Sequence, residues 1–127
     1  MTPLERARGA MGARFRLHGR DVADGLDCVG LAGLAYGVEP LRGYSLRSGD
    51  ARAVVAGVTA AGLVCADDAR AGDLVLFRAG PGQLHLAIQS EDGVIHADAS
   101  LRRVVERPGV PPWTELMRWR WPHKVEG

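Results

Sequence analysis

The hydrophobic period of this chain changes once, and that change constrains the fold more than any other feature. Before about residue 61 the apolar residues recur at helical spacing. From Arg70 onward they alternate with polar ones. Helices first and strands after predict an α+β fold, an antiparallel sheet with N-terminal helices packed on it. At 127 residues the chain is expected to form a single domain over 1–127.

The elements follow from local signals. Thr2-Pro3-Leu4-Glu5 reads as a capping box with proline at the first helical position. Leu4, Ala7 and Met11 carry the apolar spacing, and Gly12 ends the run. Phe15 to Gly25 reads as a loop. Asp27 is placed to cap a second helix, Cys28 to Tyr36, with Gly37 as its stop. That helix has almost no polar face, so it belongs in the middle of the core. Pro40 to Gly49 reads as a loop, and Asp50 as the cap of a third helix over Ala51 to Ala61, weakened by Gly57. Strands are predicted over Asp73 to Phe77, Leu84 to Gln89, Val94 to Ala97 and Arg103 to Glu106. Ser90 to Gly93 forms a hairpin turn, and an edge strand is expected where Met117, Trp119 and Trp121 alternate with Arg118 and Arg120.

Composition excludes several classes. The net charge is +1, so nothing marks a nucleic-acid surface. Fifteen of the 16 basic residues are Arg and there is no Asn, a skew expected of a GC-rich genome rather than of phosphate binding. The longest uncharged run, Ala53 to Ala66, has 14 residues against the ~20 of a membrane helix, so no membrane insertion is expected. The first twenty residues contain five arginines and no apolar stretch of the secretory kind, which predicts synthesis in the cytoplasm with reduced thiols. Two cysteines are too few for a disulfide scaffold or a four-thiolate zinc site.

Cys28 and a pair of histidines are the chemical candidates. Cys28 opens a helix, where unpaired N–H groups favour a thiolate; Asp27 opposes this by charge unless its carboxylate is engaged in capping. The position suits a buried core thiol as well as a nucleophile. Cys65, within Gly62 to Ala66, reads as a structural thiol. His85 and His96 lie in successive strands, and an even-numbered hairpin loop puts them on the same face. Two imidazoles so placed suit a base and the group that orients it. A metal bound by Cys28, His85 and His96 is the weaker alternative, because no local ligand spacing accompanies it. His18 and His123 read as solvated, with His18 also a candidate for lining a cleft. Arg102, Arg103, Arg118 and Arg120 read as solvated faces, and Trp113, Trp119 and Trp121 as sealing one end of the core.

Together these segments resemble the NlpC-type cell-wall cysteine peptidases. Gly25-Leu26-Asp27-Cys28-Val29-Gly30-Leu31 looks like their nucleophile motif. Gly72-Asp73-Leu74-Val75-Leu76-Phe77 is similar to their Gly-Asp-Leu-Val-Phe-Phe strand. His85-Leu86-Ala87-Ile88 is similar to their His-Val-Gly-Ile, and Val94-Ile95-His96-Ala97 to the segment ending Ile-His-Ala. The resemblance implies a papain-like fold with Cys28 as nucleophile, His85 as general base and acid, and His96 orienting His85. Asp98 shares the parity of His96 and is the alternative third residue. The resemblance implies no metal or organic cofactor.

The implied substrate is a peptidoglycan stem peptide, cut between D-glutamate and diaminopimelate. The short chain and Arg/Trp-rich tail look most like the subgroup carried on phage-like tails and gene transfer agents, which implies tail or baseplate partners and action in the periplasm of a target cell. Asp27, His18 and Phe15 fall in the implied substrate or oxyanion region. Phe15 is a departure, because the family usually has a tyrosine there whose hydroxyl helps hold the oxyanion. The alternative reading is a structural or binding component of a tail tip.

Overall fold

A computed structural model describes residues 1–39 and 50–122. Helix α1 (Pro3–Gly9) has the expected capping box: Glu5 N donates to the Thr2 hydroxyl at 3.0 Å, and Thr2 N donates to the Glu5 carboxylate at 3.2 Å. The helix ends earlier than its apolar spacing predicts, and Met11 is exposed beyond it. The segment read as a loop contains a two-stranded ribbon, β1 (Arg20–Asp21) against β2 (Gly25–Leu26), too short to leave an alternation signal.

Helix α2 (Cys28–Tyr36) has the predicted bounds. Gly37 ends it at φ +67, a left-handed turn that suits glycine. Every residue of α2 except Leu34 is buried, as its lack of a polar face requires. The next predicted loop, Pro40 to Gly49, lies outside the described residues. Helix α3 (Arg52–Ala60) starts one residue later than expected. Ala51 is its cap without a side-chain bond, while Asp50 accepts from Arg52 N at 3.0 Å.

Six strands follow: β3 (Val64–Cys65), β4 (Leu74–Gly80), β5 (Gln83–Gln89), β6 (Gly93–Asp98), β7 (Arg103–Pro108) and β8 (Thr114–Arg120). They form one antiparallel sheet in the order β3-β8-β4-β5-β6-β7. β8 is therefore an inner strand, not an edge, because β3 covers its outer side. Cys65 is exposed on that short outer strand and is not a core thiol.

The inner position of β8 also changes the role of its arginines, which are not a solvated face. Arg118 Nη1 donates to Asp73 Oδ2 at 3.1 Å, and Arg120 Nε donates to Asp73 Oδ1 at 2.9 Å. Asp73 is 1% exposed, and a carboxylate at that depth requires such partners.

The two faces of the sheet carry different cores. Leu74, Leu76, Leu84, Leu86, Ile88, Ile95 and Ala97 face the helices. Val75, Phe77, Ala87 and Val94 form a smaller cluster with Trp113 on the other face. Trp119 and Trp121 join the helix-side core as expected; Trp113 does not.

Candidate active site

The N-terminus of α2 is held by a three-way clamp on Asp27. Its Oδ1 accepts from Gly30 N at 2.8 Å and from Arg20 Nη1 at 2.9 Å, and its Oδ2 accepts from His18 N at 2.8 Å. Gly30 makes this approach possible, since a Cβ there would stand 2.0 Å from Gly19 O. His18 has φ +62 and an exposed ring, so it serves the site through its main chain. Phe15 is half-buried and bridges Leu26, two residues before Cys28. His123 lies outside the described residues.

The sheet opens where the thiol arrives. Gln89 N donates to Asp73 O, and Gly72 N to Gln89 O, so odd residues of β5 direct their main-chain groups toward β4. Even residues, Leu86 among them, direct theirs toward β6. The β5–β6 ladder pairs only Ile88 with Ile95 and Gln89 with Val94. Continued, it would set Leu86 opposite Ala97, but the strands diverge. Helix α2 packs against both strands. The Leu86 N–H thus faces the Cys28 thiol rather than a strand partner.

Cys28 is 4% exposed. Burial pushes its pKa up to about 12, aided by the charge of Asp27 and opposed by the N–H groups of Leu86, Cys28 and Val29. The helix N-terminus is outweighed, even with Asp27 engaged in capping. The resting group is a neutral thiol. Among the described residues no hydrogen bond joins it to His85 or His96.

The histidines meet as the hairpin parity predicts. His85 Nε2 and His96 Nδ1 share a hydrogen bond of 2.9 Å. Among the described residues Asp98 makes no hydrogen bond to His85; its Oδ2 lies 3.8 Å from His96 Nε2. Burial, and then the neighbouring His96, lower the His85 pKa to about 4; the Asp98 charge acts the other way. Burial also lowers the His96 pKa, against Asp98 and with help from Arg107. Both rings rest neutral near pH 7.

Trp113 covers this pair, a contact that no sequence signal announces. Its ring centroid is 5.0 Å from that of His85 and 5.1 Å from that of His96, edge to face in both cases. Among the described residues, no three His, Cys, Asp or Glu side chains are grouped to hold a metal ion. No helix among them is long and apolar enough to cross a membrane.

The fold has solved counterparts. The chain is 26% identical to the peptidoglycan hydrolase RipB from Mycobacterium tuberculosis, with a TM-score of 0.62 over 93% of this chain and 62% of that one. It is 24% identical to the NlpC/p60 domain of the peptidoglycan hydrolase SagA, with a TM-score of 0.59, covering 84% and 86% of the two chains. It is also 24% identical to the P60 domain of an antigen from M. avium subspecies paratuberculosis, with a TM-score of 0.61 over 93% and 90%. No protein-family model matches the sequence, and no curated protein matches it. The α+β, papain-like architecture of NlpC/p60 domains is therefore the fold of this chain.

Proposed function

We propose that the protein is a cysteine peptidase that hydrolyses peptidoglycan stem peptides, with Cys28 as nucleophile, His85 as general base and His96 as the group orienting His85. The observation that carries this reading is the His85–His96 hydrogen bond, formed beside Leu86, whose N–H faces the Cys28 thiol. The likeness to peptidoglycan hydrolases supports the substrate class.

Because thiol and imidazole both rest neutral, the reaction starts by general-base transfer rather than from a preformed ion pair. The Cys28 proton passes to His85 Nδ1 as sulfur bonds to the peptide carbonyl carbon. N–H groups at the start of α2 face the developing oxyanion. His85 then protonates the amine as the C–N bond breaks, and water releases the acyl group from sulfur.

The preferred bond in this reading is that between D-glutamate and diaminopimelate. The enzyme would reach the wall of a target cell on a phage-like tail or gene transfer agent. The test is digestion of purified peptidoglycan by the isolated protein, with products read by mass spectrometry. New amino termini on diaminopimelate are the expected result, and an undigested sacculus with folded protein would reject it. A non-catalytic tail-tip component is the second reading. It is favoured by the missing hydroxyl at Phe15 and by the absence of a thiol–imidazole hydrogen bond among the described residues.

A further inference from the structure

His96 carries an anomaly that the Cys28–His85–His96 assignment does not use. Its Nε2 is sealed from solvent and makes no hydrogen bond among the described residues. The carboxylate beside it is Asp98, whose Oδ2 stands 3.8 Å away. The carboxylate is not free to turn elsewhere. Its other oxygen accepts from Ser100 N at 2.8 Å and from Leu101 N at 3.0 Å, which directs Oδ2 at the ring. A shift of about 1 Å would close the gap to hydrogen-bond length. The other charge acting on His96 is Arg107, stacked over Trp113 at 5.9 Å; it cannot accept a proton from the ring.

We propose that Asp98 is a positioning residue that sets the tautomers of both histidines in series. A carboxylate can only accept, so it draws the His96 proton to Nε2. His96 Nδ1 is then a lone pair and must accept from His85 Nε2. His85 Nδ1 is left unprotonated, the state in which it can take the Cys28 proton. This inference rests on the peptidase reading for its catalytic meaning, but the tautomer pattern itself does not.

Asp98→Asn separates this role from a structural one. The asparagine oxygen keeps the Ser100 and Leu101 bonds, so the turn survives. Its NH₂ then faces His96 Nε2 and favours a lone pair there. His96 should carry its proton on Nδ1 and donate to His85 Nε2, driving the His85 proton onto Nδ1. Long-range ¹⁵N NMR of the full chain at pH 7 reads both rings directly.

The expected result is two Nε2-protonated rings in the wild type and two Nδ1-protonated rings in the asparagine variant. The variant's kcat on peptidoglycan should fall about ten- to a hundred-fold, with KM and Tm little changed. Asp98→Glu restores an acceptor and should keep the wild-type tautomers. Unchanged tautomers in Asp98→Asn would overturn the proposal whatever the activity. Flipped tautomers in a protein that never digests peptidoglycan would sustain the relay and reject the peptidase reading instead.

Discussion

The two faces of the sheet solve different problems. The helix side is apolar burial: α2, nearly all buried, shares one core with Leu76, Leu86, Ile88 and Ile95. The other side is a small cluster, Val75, Phe77, Ala87 and Val94 under Trp113, into which two histidines have been built. Cys28 belongs to the first and the imidazoles to the second. The thiol meets the sheet at the Leu86 N–H, next to His85 along β5, where the β5–β6 ladder has ended. The lesson is a division of labour: one face holds the fold together, and the other holds polar groups away from water at a tolerable cost.

Adjacent residues of β5 give the sharpest test of that division. His85→Ala should lower turnover by about 10²–10⁴-fold with little change in Tm, read by peptidoglycan digestion and thermal melting. Leu86→Ala, one position along on the helix side, should cost about 2–5 kcal/mol of stability in denaturant titration. If His85→Ala unfolds the protein instead, the two faces are not divided as described.

His96 comes next in size. His96→Ala removes one orienting hydrogen bond, so a loss of about tenfold in kcat is expected, with His96→Gln retaining more. It should be milder than Asp98→Asn, which imposes the wrong tautomer where the alanine merely releases the ring. Losses as large as those of His85→Ala would make His96 a proton-transfer group.

The pH profile tests the cover over the histidines. His85 must be neutral to act as base, and its pKa is about 4. Activity should therefore be present above about pH 4 and disappear as pH falls through it. Trp113→Ala admits water and should move this limb up toward the ordinary histidine value of about 6.5. Stability has the same origin. The unfolded chain takes up this proton near 6.5 and the folded one near 4, so stability should decline as pH drops through that window. An acid limb already near 6.5 in the wild type would mean that Trp113 does not shield the pair.

The smallest expected effect lies at the helix side of the site. Phe15→Tyr should raise turnover by less than the ~10²–10³-fold that one oxyanion donor is worth. An unchanged rate would assign that task to main-chain N–H groups.

Much of this was legible in the amino-acid order, because the signals involved are local. The Asp27 cap, the bounds of α2 and the α1 capping box depend on residues within one helical turn. The shared face of His85 and His96 follows from parity across a short hairpin, and the 2.9 Å hydrogen bond bears it out. What only tertiary structure decided depends on partners distant in sequence. β8 became an inner strand because β3 arrived from the far side, and Arg118 was buried because Asp73 was already there. Trp113 came to rest on the histidines across a fold in the chain that no periodicity encodes. The state of the Cys28 thiol was of this second kind. Its helix position argues for a thiolate, yet burial between α2 and the parted strands outweighs that, since desolvation is a property of everything around the sulfur rather than of its neighbours in sequence.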